Sequence, residues 1–339
     1  MDAEAIYYAN LKLLLPYIYL IPTYILYLVI LYVMFISKFK TQFYGSFYKI
    51  FGLSAFFNVI CSILYNLQVR FPQTPALISI VHSWGSRSFF VTFLQTGIWY
   101  TYNVAHLLNF FISFNRFTVF LLKIHYNAFW RKWLPYFVGI CLIVPCFLMW
   151  HVPFTDIYLK PKYANDPNGL WNYAVGHPEI FSWMSASRFT VFLLTGTAPC
   201  SLVFNCYVIL QLVKDNFTPT SQKKTSKQDV KLSFYAMVVF ASDMIYCVQQ
   251  YIRRTSDDQR FIDAMYDIQN GIADICCLTP IWFMILANKS LRLNIAAIFG
   301  LIKSDSIVVS AVQQLVTSKN STIAKSSSNR TNTVGTSLK

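Results

Sequence analysis

Ser113-Phe114-Asn115-Arg116-Phe117-Thr118 sets a lone arginine at the end of an apolar run that begins near Phe89. Read as helix, the interval from Arg87 to Arg116 spans about 44 Å, close to the thickness of a bilayer with its headgroups. The two arginines therefore mark opposite faces of a membrane, and the run between them is one crossing.

Composition extends that reading to the whole chain. Of 339 residues, 55% are hydrophobic, 18% aromatic and only 12% charged, too apolar for a soluble domain of this size. The net charge of +14 does not point to nucleic acid, because the basic residues lie between apolar runs and form no dense patch interleaved with aromatics. All eight cysteines fall inside apolar runs, which argues for packing rather than a disulfide framework. The five histidines are scattered singly and no C-x-x-C occurs, so no metal site and no cofactor is expected. Asp2 and Glu4 precede the first apolar run, which is longer than a signal-peptide core; it is expected to be a retained membrane helix.

Seven runs are long enough to cross a bilayer: Leu13 to Ile36, Phe43 to Leu67, Phe89 to Leu122, Leu134 to Val152, Phe189 to Val213, Leu232 to Ile252 and Ala264 to Ala287. The expected fold class is an all-α seven-transmembrane bundle. Pro16, Pro22, Pro145, Pro199 and Pro280 lie within these runs, where kinks are expected. With residues 1–12 outside the cell, fourteen Lys and Arg flank the inner face. Nine lie outside: Lys12, Arg70, Arg87, Lys160, Lys162, Arg188, Arg253, Arg254 and Arg260. That excess favours an extracellular amino terminus and a cytoplasmic carboxy terminus. The glycosylation acceptors at Asn216, Asn288, Asn320 and Asn329 then all fall on the cytoplasmic side, compatible with chance matches.

The longest outer loop, Pro153 to Ser187, carries Pro161, Asp166-Pro167-Asn168-Gly169 and Gly176-His177-Pro178 with aromatics between them. It is either a lid over the bundle or a mobile connection. Residues 288–302 read as an amphipathic helix at the membrane surface, with Leu291, Ile295, Ile298 and Phe299 on one stripe. Residues 303–339, rich in Ser and Thr, read as a disordered cytoplasmic tail open to kinases.

These features resemble a G-protein-coupled receptor, and more closely the nematode serpentine chemoreceptors of the gamma-class superfamily, class gamma or class V. The resemblance covers Leu13 to Phe299. It is carried by Ile21-Pro22-Thr23-Tyr24-Ile25-Leu26-Tyr27, Ser113-Phe114-Asn115-Arg116-Phe117-Thr118, Phe129-Trp130 and Asn288-Lys289-Ser290-Leu291-Arg292. It implies a sensory receptor in the plasma or ciliary membrane that binds a small odorant-like molecule outside and activates a heterotrimeric G protein inside. Asn115, Arg116 and the cluster Lys223, Lys224, Lys227 and Lys231 are then candidates for coupling, although Arg116 can instead snorkel into headgroups and the lysines can face anionic membrane lipids. Asn115 stands where rhodopsin-like receptors carry an acid, so the adjacent residue cannot restrain Arg116 through an ion pair.

A carboxylate at mid-bilayer costs about 2.5 to 3.5 kcal/mol on insertion scales, so it must find a partner. His106, Asp243 and Asp274 lie at one depth, roughly 15 to 20 Å from the inner face, and could meet. Asp267, Asn270 and Asp274 form one polar stripe on the last span, with Asn58, Asn103 and Asn109 at hand to complete a network. One reading is a ligand pocket with a floor of His106, Asp243 and Asp274 and walls of Trp99, Tyr100, Tyr102, Tyr246 and Gln250; the other is a structural network of interhelical hydrogen bonds. Two rival classes remain. A channel or transporter would use the acids for an ion path, but no internal repeat or matched pair of broken helices is visible. An intramembrane aspartyl protease would pair Asp243 with Asp274, yet both echoes of that signature, Tyr266-Asp267 and Gly271-Ile272-Ala273-Asp274, fall on one helix. The expectation is a receptor and not an enzyme.

Overall fold

The computed structural model describes residues 3–85, 88–161, 170–175, 185–217, 227–256 and 258–302. Arg87, Lys223, Lys224, the two turn-forming clusters of the long outer loop and the tail 303–339 lie outside the described residues.

Ten α-helices are described: α1 Ala3–Leu14, α2 Tyr17–Phe35, α3 Ser46–Tyr65, α4 Ile78–Ser83, α5 Phe89–Leu122, α6 Tyr126–Met149, α7 Ala186–Phe217, α8 Lys227–Thr255, α9 Gln259–Ala287 and α10 Lys289–Ile298. Among the described residues, six unbroken helical stretches are long and apolar enough to cross a membrane; one of them, Phe89–Phe154, contains two α-helices, α5 and α6. Lys123 has a φ of 42° at the junction of α5 and α6. Thr118 then contacts Trp130, Phe111 stacks on Phe137, and Tyr100 reaches Leu142, so α6 runs back along α5. The result is seven long helices, α2, α3, α5, α6, α7, α8 and α9.

Local chemistry explains the helix ends. Ser88 caps α5 by accepting from the Val91 amide at 3.3 Å. Pro16 precedes the first turn of α2, and its ring separates α2 from α1. The sequence reading places residues 1–12 outside the cell and assigns them no secondary structure; Ala3–Leu14 is helical. It also began the fourth span at Leu134, whereas α6 starts at Tyr126, because the polar residues of its first turns are compatible with helix although they break the apolar run.

α3 and α5 form the central pair of the bundle. Ile50, Phe51 and Ala55 of α3 and Val104, Leu108 and Ile112 of α5 are buried. A Cβ on Gly97 would lie 2.8 Å from Leu64 Cδ1, so the Leu64 side chain of α3 packs directly against the α5 backbone where a side chain is missing. Between helices in lipid, such packing and hydrogen bonds do the work that hydrophobic burial does in water.

α3 does not stop at Tyr65. It continues through a π-helical turn, Asn66–Arg70, which rotates the following side chains relative to an α-helical course. The long outer loop holds two strands, β1 Ile157–Pro161 and β2 Trp171–Val175, paired antiparallel with Ile157 opposite Val175. This hairpin is an addition to the expected all-α fold. Trp171 N donates to Pro72 O at 3.0 Å and Gln73 Nε2 to Asn172 Oδ1 at 2.9 Å, fastening the hairpin beside the end of α3. Burial pushes the Tyr173 hydroxyl of β2 up to about 12, so it stays neutral.

The chain divides into two compact units, Met1–Asn288 and Lys289–Lys339. The second contains α10, in which Leu291, Ile295 and Ile298 share one face at helical spacing.

Candidate functional site

Among the described residues, three polar clusters stand out within the bundle. The first joins α5, α7 and α8. Tertiary packing brings two of the three expected floor residues together: His106 Nδ1 faces Asp243 Oδ2 at 3.2 Å, and its Nε2 meets Thr197 Oγ1 at 2.7 Å. Asn109 Nδ2 approaches both carboxylate oxygens at 3.4 Å, and its Oδ1 accepts from Ser54 Oγ at 2.9 Å. Asn58 Nδ2 extends the chain to Ser54 Oγ at 3.4 Å. His106 and Asp243 are 6% and 8% exposed, so this carboxylate has exchanged water for an imidazole and an amide. A cavity of ≈ 10 Å³, about one water in size, adjoins His106, Asn109, Ser113, Ser201 and Asp243.

Next to this cluster on α5 and α8 is an aromatic layer. The Tyr102 ring lies 4.5 Å from Tyr246 and 6.5 Å from His106, and Leu194, Ile272 and Cys276 pack around Tyr246. Asn103 Nδ2 donates to Trp99 O at 2.7 Å and to Thr190 Oγ1 of α7 at 3.1 Å. Two polar atoms here are buried without a hydrogen-bond partner: Tyr102 Oη and Asn103 Oδ1. An unsatisfied buried group costs about 1 to 3 kcal/mol, so both atoms favour any molecule that supplies an acceptor and a donor.

Other expected pocket residues point elsewhere. Tyr100 Oη donates to Leu142 O of α6 at 3.4 Å and its ring meets Phe57, away from Tyr246. Trp99 is half-buried, with its carbonyl taken by Asn103. Gln250 accepts from Arg253 Nη2 at 2.6 Å and donates to Gln249 Oε1 at 2.9 Å, closing a chain along α8.

Asp274 belongs to a second cluster, which corrects its place in the expected floor. Arg70 Nη2 donates to Asp274 Oδ2 at 2.6 Å and to Asn270 O at 3.1 Å, and Tyr19 Oη donates to the same carboxylate oxygen. Arg70 Nη1 donates to Asn66 Oδ1 at 3.1 Å; Asn66 Nδ2 donates to Tyr24 Oη at 3.0 Å; Tyr65 Oη donates to Asn270 Oδ1 at 2.9 Å. Arg70, counted on the outer side from the sequence, is 2% exposed and buried among these helices. Asp243 and Asp274 have different partners on different helices, and the paired carboxylates that a protease needs are not formed. One signal was available: Asn66 and Arg70 are four residues apart and aim one cation at the bundle, where a mid-membrane acid requires one.

The third cluster is at the opposite end of α5. Arg116 Nη2 donates to Asn115 Oδ1 at 2.8 Å, its Nη1 lies 3.7 Å from Asp229 Oδ1 of α8, and its guanidinium sits 4.3 Å from the Phe47 ring centroid. Asn115 Nδ2 donates to Ser46 Oγ at 3.0 Å and its Oδ1 accepts from Tyr126 Oη at 3.0 Å. Asparagine therefore retains a hydrogen bond to its neighbour, while the ion pair comes from another helix. Beside it, Tyr48 Oη accepts from Gln228 Nε2 of α8 at 2.7 Å and from Asn288 Nδ2 after α9 at 3.1 Å. Arg116 is 4% exposed and its Nε is buried without a partner. Lys227 opens α8, and its side chain is outside the described residues. Thr197, Asp229 and Tyr48 were not singled out from the sequence, because a Thr, an acid among lysines and one Tyr of twenty-two carry no pattern of their own.

The sequence model of a family described as Srg family chemoreceptor matches residues 13–295. Serpentine receptor class gamma-5 of Caenorhabditis elegans is 21% identical over 307 residues, covering 89% of this chain and 90% of that protein. Serpentine receptor class gamma-4 of the same organism is 23% identical over 212 residues, covering 60% and 63%. Serpentine receptor class gamma-13 is 26% identical over 78 residues, covering 23% and 21%.

Proposed function

The chain belongs to the Srg family of chemoreceptors, an integral membrane receptor of the serpentine type, and from that premise we propose that it binds a small odorant-like molecule and activates a heterotrimeric G protein. The amino terminus is extracellular and the carboxy terminus cytoplasmic, in the plasma or ciliary membrane; the excess of basic residues flanking the opposite face supports that orientation. The ligand site is the aromatic layer of Tyr102, Asn103, His106, Asp243 and Tyr246.

The observation that carries this reading is the pair of buried, unpartnered atoms Tyr102 Oη and Asn103 Oδ1, on consecutive residues of α5 one turn before His106, which contacts Asp243. A small molecule with a carbonyl or ether oxygen and a hydroxyl would satisfy both and gain hydrogen bonds the empty bundle lacks.

Coupling follows from geometry along α5 and α8. The same two helices meet at His106–Asp243 and again at Arg116–Asp229, some 15 to 20 Å further toward the cytoplasm. A ligand that repacks Tyr102 against Tyr246 tilts α8 relative to α5. A change of tilt is largest at the far end, where the pair is 3.7 Å apart and its aspartate is partly exposed. Release of Asp229 leaves Arg116 held by Asn115 and the Phe47 ring, with its unpartnered Nε and its Nη1 able to meet carbonyl groups of a G-protein segment.

A ligand screen in cells expressing the receptor, followed by His106→Gln, Asp243→Asn and Tyr102→Phe at matched surface expression, tests the proposal. Shifted ligand potency is the expected result. Loss of surface expression with unchanged potency in the surviving protein would assign these residues to packing alone. Epitope tags at both ends test orientation: amino-terminal staining that requires permeabilisation would sink the receptor topology.

A further inference from the structure

On the outside of the bundle, α2, α3 and α6 enclose a groove of ≈ 710 Å³, within the range of small-molecule sites. Leu28 and Phe35 of α2, Phe56 of α3 and Leu134 and Val138 of α6 line it. Gly52 makes room for it: a Cβ there would come within 2.4 Å of Phe35, so the Phe35 ring lies directly against the α3 backbone as the floor. Among the lining residues Lys49 alone carries a charge, and it is exposed in the first turn of α3.

The groove is graded along its length. From Ile36 to Leu28, and from Lys49 to Phe56, each wall runs about 10 to 12 Å from the helix ends toward the middle of the membrane. The charge is at the helix-end rim, and the other end is wholly apolar. Lys38, Lys40, Arg131 and Lys132 stand on the segments flanking the same rim. A ligand that fits must place a negative group at the membrane surface and hydrocarbon within it.

We propose that this groove is a binding site for an anionic diacyl phospholipid, with an acyl chain against Phe35 and Val138 and the phosphate at Lys49. A zwitterionic lipid fits the apolar walls but presents no net charge to the rim. One lysine near the surface favours an anionic lipid by about 1 kcal/mol, a preference on the order of fivefold. The site is separate from the ligand cluster between α5, α7 and α8, and it stands whether or not that cluster binds an odorant.

Native mass spectrometry of the purified full-length receptor, with dioleoyl phosphatidylserine and dioleoyl phosphatidylcholine added in turn at equal concentration, tests it. Phosphatidylserine adducts should exceed phosphatidylcholine adducts about fivefold in the unaltered protein. Lys49→Gln, at an exposed position, should reduce the preference, and Leu28→Trp, also exposed, should narrow the groove and lower retention of both. Equal retention of the two lipids by the unaltered protein would overturn the proposal. So would a preference undiminished by Lys49→Gln, which places the lipid elsewhere on the surface, or a sterol retained in preference to both and displaced by Leu28→Trp.

Discussion

Arg70 and Asp274, brought together from α3 and α9, form a buried ion pair at 2.6 Å, with Tyr19 of α2 donating to the same carboxylate. Removing one partner of such a pair leaves the other charge uncompensated, typically at 3 to 5 kcal/mol, whereas replacing both by apolar groups is often near neutral. Arg70→Met alone and Asp274→Leu alone should each abolish most surface expression. The double variant should recover a substantial part of it, measured by surface labelling and thermal stability in detergent. Additive losses in the double variant would mean that the two side chains act independently.

Arg116 and Asp229 lie 3.7 Å apart with the aspartate side chain 36% exposed, so their attraction is screened and is worth no more than about 1 kcal/mol. Asp229→Asn should therefore raise ligand-independent signalling by up to about fivefold at equal surface expression. Arg116→Ala should remove signalling while leaving ligand binding intact. Full ligand-dependent signalling in Arg116→Ala would refute the role given to the arginine.

Tyr48 Oη accepts hydrogen bonds from Gln228 and Asn288, so one hydroxyl ties α3 to α8 and to the end of α9. Tyr48→Phe keeps the edge-to-face contacts with Phe43 and Phe47 and deletes only those two bonds. At about 1 kcal/mol each, their loss should lower the thermal midpoint by a few degrees and raise basal signalling. An unchanged basal level, read in the same assay as Asp229→Asn, would show that this tie does not restrain the cytoplasmic face.

Tyr102→Phe separates the two readings of the aromatic layer. Since Tyr102 Oη is buried without a partner, removing it should leave stability unchanged or raise it by about 1 to 3 kcal/mol. Ligand potency should nevertheless fall by about tenfold, the equivalent of roughly 1.4 kcal/mol. A dose–response curve that matches the unaltered receptor would exclude the hydroxyl from ligand contact.

The membrane class, the seven long helices and the receptor family were legible in the amino-acid order, because hydrocarbon solvates no charge and each crossing must be an unbroken apolar run. The run from Phe89 to Leu122 coincides with α5 for that reason. His106 and Asp243 were legible as polar groups in need of partners. Which partners they took was not. Arg70 follows the end of an apolar run, and hydropathy alone reads it as an outer loop; the π turn at Asn66–Arg70 and the packing of α9 on α3 carry it inward to Asp274. The restraint on Arg116 came likewise from Asp229 on α8, far away in sequence. The one-dimensional pattern determines how deep a residue lies, since depth follows from distance to the nearest helix end. Only the rotation and neighbours of each helix, set by side-chain packing across the whole bundle, decide which polar groups at one depth meet.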